Sequence, residues 1–415
     1  MTFFECDELA MNPAPPSISQ PALQPALQLS ERISRLTSSL VREILAAAQA
    51  PGMISFAGGL PSAEAMPILH DSDASHDWQS PVFQQYGQSE GEPLLRSRIA
   101  DWLAESGLPV SVEQTLVLSG SQQGIDLAAK LFVDPGTPIL CEAPTYLAAL
   151  QAFQLFGANC LGLPLTDDGK DPVHLAVMIE THKPRAIYLI PTFQNPSGHC
   201  YSAANRQAVA NVLDHYDLPL IEDEPYRELM YDTVDRTPIC SLLKRAPWIY
   251  LGSFSKTLWP GWRVGFLTAS KDLFPHLLRL KQAGDLHTNR PGQIRVANWL
   301  ASKNRNEDLA HLRNVYRKKR DAMNDALKNS FGHLADWETP AGGLFFWLQL
   351  RNPIDTRPLL KIALERGVAF MPGEAFYSAS SKPKLGTMRL NFSHTNAENM
   401  KKGLEMLAKI VEEQK

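Results

Sequence analysis

Between about residues 95 and 270 the chain alternates short apolar runs with helical stretches, and this alternation limits the possible folds more than any other feature. "TLVLSG" reads as a buried strand and "SQQGIDLAAKLF" as the helix that follows it. "PILCEA", "AIYLIP", "LPLIEDE" and "WIYLGS" are further short strands, several closing on a polar or small residue. Helical stretches such as "AANRQAVANVLDHY" lie between them. Strand–helix–strand order joins parallel strands through right-handed crossovers, so the expected class is α/β: a mostly parallel sheet with helices on both faces. Functional groups in such sheets gather beyond the carboxyl ends of the strands.

The pattern changes after about residue 275. A helix-rich stretch runs through "NEDLAHLRNVYRKKRDAMNDALKN", then come "GGLFFWLQL", "VAFMPG" and "TMRLNFS", which read as strands, and a final helix. This describes a smaller α+β domain. At the other end, residues 1–28 are rich in Pro, Gln and Ala with a tandem "PALQPALQ", the composition of a disordered or mobile leader. From Ser30 the stretch "SERISRLTSSLVREILAAAQ" places Ile33, Leu36, Leu40, Ile44 and Leu45 near one helical face, and Pro51 and Gly52 stop it. A chain of 415 residues exceeds what one compact core usually carries. The expected division is a leader (1–28), an arm contributing to the small domain (29–75), a large domain (76–300) and a small domain (301–415).

Charge and composition exclude several classes. The net charge is −4, so neither nucleic acid nor a membrane surface has electrostatic support as a partner. No uncharged apolar run approaches the ~20 residues of a membrane helix. Glu5, Asp7 and Glu8 interrupt any signal-peptide order. Five cysteines without a CxxC pair read as reduced thiols, which places the expected location in the cytoplasm. No metal is expected.

The chemistry is concentrated in "LGSFSKTLWPGWRVGF", residues 251–266. A lysine alone is far more often a solvated surface residue than a nucleophile. Lys256, however, follows a strand in a segment too apolar for an exposed loop, and desolvation lowers an amine's pKa and frees its lone pair for attack on a carbonyl. Ser253, Ser255 and Arg263 supply donors and a fixed charge suited to a phosphate. A lysine beside a phosphate socket suggests a phosphate-bearing aldehyde cofactor, pyridoxal phosphate. Such a cofactor needs an anion at its pyridine nitrogen, and "IEDEPYREL" offers Asp223 at a strand end with Tyr226 three residues on. Asn195 in "PTFQNPSG" offers a donor for the ring oxygen. Ser121 and Gln122 in "LVLSGSQQGIDLAAK" put backbone amides at a helix N-terminus, and Tyr146 in "EAPTYLAAL" offers a ring to stack. Taken singly, each has a plainer reading: a turn carboxylate, turn chemistry at Pro196 and Gly198, ordinary aromatic packing. Their joint order at successive strand ends is what points to one site.

These motifs resemble the class I/II aminotransferases of the aspartate aminotransferase fold, pyridoxal-phosphate fold type I. "SFSKTLWPGWRVGF" is similar to the family signature Ser-x-Ser-Lys-x-x-x-x-Gly-x-Arg-x-Gly, and "QNPSG" and "DEPY" match the asparagine and aspartate/tyrosine motifs. "ISFAGGLPSAE", "YGQSEGEPLLR", "SGSQQGIDL", "PTYLAAL", "IPTFQNPSG" and "KQAGDLHT" look most like the 2-aminoadipate and kynurenine/aminoadipate aminotransferase subgroup. The resemblance implies a large pyridoxal-phosphate domain with a seven-stranded type of sheet. It also implies Lys256 as the residue that bonds the cofactor and shuttles the proton, Asp223 at the pyridine nitrogen, and Asn195 and Tyr226 at the ring oxygen. Ser121, Gln122, Ser253, Ser255 and Arg263 would hold the phosphate and Tyr146 the ring face. Tyr86 would reach the cofactor and substrate of the other subunit of a homodimer with shared sites. Arg389 would clamp the substrate carboxylate, with Asn195 and backbone at Gly59 beside it. Ser39 and Arg42 match positions that bind an acidic substrate side chain, although Arg42 also fits a solvated helix face. The implied reaction is ping-pong transfer of an amino group from an L-amino acid to a 2-oxo acid such as 2-oxoglutarate. A β-elimination or decarboxylation on the same cofactor is the alternative. Transcription regulators that carry an aminotransferase-like domain need a basic DNA-binding region, and the stretch ahead of Ser30 is proline-rich rather than basic.

Overall fold

The computed structural model describes residues 29–36, 44, 50–67 and 84–414. In chain order, β1 (Ile54–Ser55) precedes β2 (Thr115–Leu118), β3 (Pro138–Ala143), β4 (Asn159–Pro164), β5 (Ala186–Leu189), β6 (Leu220–Asp223), β7 (Trp248–Ser253) and β8 (Gly265–Ala269). The strands β2 to β8 form a seven-stranded sheet in the order β2-β8-β7-β6-β5-β3-β4. Within it β8 runs antiparallel to β2 and β7, and the other adjacent pairs are parallel. The α/β class expected from the alternating runs is borne out.

Why the runs are apolar throughout follows from the pleat. Successive residues of a strand face opposite sides, so a strand covered on both sides needs apolar residues at every position. On β3, Ile139 and Cys141 enter one buried cluster and Leu140 the other. On β7, Ile249 and Leu251 face the first and Tyr250 the second. Helices Ser121–Phe132, Leu147–Leu155 and Phe274–Asp285 cover the first face, with Ile125, Phe153 and Leu277 fully buried. Helices Pro93–Glu105, Pro172–His182, Ala203–Tyr216 and Arg290–Ala301 cover the second. Each such leucine or isoleucine contributes roughly 1.5–3 kcal/mol by leaving water. Local chemistry sets the helix ends: Asp171 accepts from the amides of Val173 and His174, and Ser202 from that of Asn205. Lys183 and Asp217 end the two helices in the left-handed region.

A four-stranded antiparallel sheet follows, built from β9 (Ala335–Trp337), β10 (Phe345–Leu350), β12 (Met371–Pro372) and β13 (Thr387–Asn391) in the order β12-β13-β10-β9. β11 (Val368–Ala369) instead pairs in parallel with β1, Ile54 opposite Val368. Phe56 beyond β1, Leu312 and Met323 of helix Arg305–Phe331, Phe346, Leu390 and Leu404 of helix Ala397–Glu412 share one buried cluster. Of the amphipathic N-terminal stretch, the described part is a helical turn, Glu31–Ser34, which buries nothing: Ile33 and Leu36 are exposed, while Ile44 is buried. Ser39, Arg42 and the leader lie outside the described residues. Among the described residues no helix is long and apolar enough to cross a membrane.

Candidate active site

The carboxyl ends of β2, β5, β6 and β7 converge on a cavity of about 130 Å³. Ten of its twelve lining residues are the candidates Ser121, Gln122, Tyr146, Asn195, Asp223, Tyr226, Ser253, Ser255, Lys256 and Arg263; Ile190 and Pro225 complete it. A larger cleft of about 930 Å³, between β4 and the antiparallel sheet, is lined by none of them.

One wall is an anion cradle. Helix Ser121–Phe132 starts directly after β2, so its first-turn amides and positive dipole end face the cavity. Two glycines allow the close approach. Gly120 has φ +89°, and a Cβ there would lie 2.4 Å from Arg263 Nη2. A Cβ on Gly265 would lie 2.7 Å from the Ser121 amide nitrogen. Arg263, itself in the left-handed region at φ 52°, leans over this helix end and donates from Nη2 to the Ser119 carbonyl at 3.2 Å. Ser253 Oγ accepts from the Ser255 amide at 3.2 Å, which turns the chain after β7 toward the cradle.

The opposite wall carries the carboxylate and the amine. Asp223 ends β6 and is 2 % exposed. Its Oδ2 accepts from the Tyr188 hydroxyl at 2.6 Å, while Oδ1 is buried without a partner. Burial pushes its carboxyl up to about 7, against the opposing pull of the Tyr188 hydrogen bond. Lys256 donates from Nζ to the Gly59 carbonyl at 2.9 Å and stands 6.0 Å from the Tyr226 ring centre. Burial, then the charges of Arg389 and Arg263, lower its amine to about 8. Tyr226 is buried edge-on to Phe345, and its hydroxyl accepts from Asn195 Nδ2 at 3.5 Å. Desolvation raises its phenol and that of Tyr146.

Arg389, on β13 of the antiparallel sheet, closes the site. Its Nη1 donates to Asn195 Oδ1 at 2.7 Å and its Nη2 to the Ala57 carbonyl at 2.5 Å. The guanidinium lies 4.2 Å from the ring centre of Phe345 and 4.9 Å from that of Phe376. Burial lowers its pKa to about 10, so it stays charged at neutral pH. Among the described residues its Nε has no partner.

Tyr86 stands away from this cavity, 76 % exposed and edge-on to His287 at 5.7 Å. Tyr188, Ala57, Phe345 and Phe376 were not anticipated. Tyr188 was findable, because in "AIYLIP" it shares the face of Asp223 on the neighbouring strand, and a buried phenol needs an acceptor. The contacts of Ala57, Phe345 and Phe376 depend on how the antiparallel sheet docks, which no local pattern carries.

Known proteins agree on the family. The family described as aminotransferase class I and II matches residues 68–407. The chain belongs to it. It is 36% identical to the 2-aminoadipate transaminase of Thermus thermophilus, over 90% of this chain and 94% of that one. It is 34% identical to aromatic-amino-acid aminotransferase 1 of Thermococcus litoralis, over 96% and 97%. The solved structure of the Thermus thermophilus alpha-aminoadipate aminotransferase LysN, complexed with N-(5'-phosphopyridoxyl)-L-leucine, superposes with a TM-score of 0.83 at 33% identity, over 93% of this chain and 97% of that one. The protein is therefore an enzyme of the pyridoxal-phosphate aminotransferase fold. The residues of this aminotransferase also fit that cofactor. An orphaned, buried carboxylate oxygen suits a pyridinium N–H, a cradle that a Cβ at Gly120 would fill suits a phosphate, and the lysine amine is held between them.

Proposed function

We propose that this aminotransferase moves the amino group of an L-amino acid of the 2-aminoadipate, glutamate, leucine or aromatic type to a 2-oxo acid such as 2-oxoglutarate, in a ping-pong cycle. Pyridoxal phosphate, when bound, supplies an electron sink for the α-carbon and holds the amino group between half-reactions. Lys256 supplies the base: with its amine lowered to about 8, part of it is unprotonated near neutral pH and can accept the α-proton. Asp223, with its unpartnered Oδ1, would take the pyridine nitrogen, and Asn195 and Tyr226 would supply donors for the ring oxygen. The amides of Ser121 and Gln122, the hydroxyls of Ser253 and Ser255, and Arg263 would hold the phosphate, and Tyr146 would cover the ring.

The observation that carries the reading is Arg389. Its planar fork is already oriented by Ala57 and Asn195 and sandwiched by two rings, so little freedom is lost when it takes a carboxylate as a bidentate pair. Anchoring the α-carboxylate favours α-proton loss over decarboxylation.

The exposed Tyr86 supports a homodimer in which this residue reaches the partner's cavity. The described cysteines Cys141, Cys160, Cys200 and Cys240 are free thiols, which supports a reducing compartment such as the cytoplasm. Ser39 and Arg42 are proposed for an acidic substrate side chain. The test is a panel of amino donors against 2-oxoglutarate with the wild type, Lys256→Ala and Arg42→Ala. Lys256→Ala should lose turnover with every donor, and Arg42→Ala should slow acidic donors more than leucine. Full turnover by Lys256→Ala would end the reading, and equal losses across donors would remove Arg42 from specificity.

A further inference from the structure

Tyr188 lies in the middle of β5, fully buried, with its ring edge-on to Phe153 at 5.8 Å. It is paired in register with Ile221, so its side chain projects on the same face as Asp223, two residues further along β6. The hydroxyl donates to Asp223 Oδ2 at 2.6 Å. Among the described residues this is the hydrogen bond given to that carboxylate, and the second oxygen has none. Glu222 and Glu224 point to the other face, where Glu222 accepts from the amides of Ile239 and Cys240 and Glu224 from Thr192. The three consecutive acids are thus sorted by strand parity, and Tyr188 belongs to the one in the cavity.

We propose that Tyr188 is a positioning residue: it holds the Asp223 carboxylate in its ionised form and turns it so that Oδ1 alone faces the cofactor's pyridine nitrogen. The inference rests on the reading of the cavity as a pyridoxal-phosphate site. A carboxylate stripped of its donor in a dry site is a stronger base. Without the Tyr188 hydroxyl the proton shared with the ring nitrogen moves toward Asp223, and the ring loses charge. Tyr188 touches neither cofactor nor substrate; it acts through Asp223.

The substitution Tyr188→Phe keeps the packing on Phe153 and removes one oxygen. Apoprotein of the wild type, Tyr188→Phe, Asp223→Asn and the double variant would be titrated with pyridoxal phosphate, and the ring-nitrogen resonance of ¹⁵N-labelled cofactor recorded on the bound forms. Tyr188→Phe should weaken binding about tenfold, the effect of one hydrogen bond to a charged group, and should move the resonance from the pyridinium toward the pyridine position. In the Asp223→Asn background the same change should have almost no effect on affinity. An unshifted resonance, or an equal affinity loss with and without Asp223, would overturn the proposal. If Tyr188→Phe fails to fold, 3-fluorotyrosine at position 188, a stronger donor of the same shape, should move the resonance further toward pyridinium; no movement would overturn it too. Wild-type apoprotein that binds no pyridoxal phosphate would instead sink the reading of the site.

Discussion

Asp223 illustrates how a residue can serve function against stability. Burial penalises its anion and pushes the carboxyl up to about 7 in the folded protein, from the ordinary aspartate value of about 4 in the unfolded chain. The folded state therefore binds the proton more tightly, and stability falls as pH rises between about 4 and 7. Removing the ionisable group should reverse this. Asp223→Asn apoprotein is expected to be more stable than wild type by about 2–4 kcal/mol at pH 8, with the gap closing as pH falls toward 4. Urea denaturation of both apoproteins across this range checks it, and a gap that does not change with pH would contradict it. The same variant should be inactive as a transaminase. Among single residues, the lysine, the asparagine and the aspartate were legible because each is a chemically odd residue at the end of an apolar run. The Asn195–Arg389 contact spans 194 residues of sequence; the family resemblance put the two side by side, and no local pattern did.

At the level of elements, the pinch between β8 and helix Ser121–Phe132 shapes the cradle proposed for the phosphate, and Gly120 and Gly265 allow it. At Gly120 a side chain meets both the positive φ of 89°, an essentially glycine-only backbone that costs another residue about 1–3 kcal/mol, and Arg263 Nη2. Gly120→Ala should raise the dissociation constant of pyridoxal phosphate for the apoprotein at least about tenfold, while saturating cofactor restores much of the turnover; fluorescence titration measures the first. Unchanged affinity would show that the cradle is not where the phosphate sits. The strands quoted from the sequence appear where their apolar runs lie, β3 and β7 over the full run, except that "VAFMPG" divides into β11 and β12, which belong to different sheets. β4 and β8 were not singled out. β4 is an edge strand, "NCLGLP", interrupted by a glycine and closed by a proline, so its β signal is weak. β8 begins two residues after Arg263 and was read as part of the lysine motif. Of the amphipathic stretch after Ser30, Glu31–Ser34 and the buried Ile44 are helical, and most of the rest lies outside the described residues.

For the whole molecule, the site is a joint product of two sheets. The parallel sheet contributes the cradle, Asp223 and Lys256; the antiparallel sheet contributes Arg389, which stands outside the twelve residues lining the cavity, bonds Asn195 among them and is held through Ala57 against the segment that follows β1. The order of motifs along the chain made this assembly legible in outline. The docking of β13 against the QNPSG turn, which aims the guanidinium, arises from packing between residues far apart in sequence. The role proposed for this assembly is to present the amine of Lys256 to pyridoxal phosphate. Borohydride reduction of the cofactor-loaded protein, followed by peptide mapping, tests it most directly. A pyridoxyl group fixed on Lys256 is the expected result, and a label on any other lysine, or none, would contradict it.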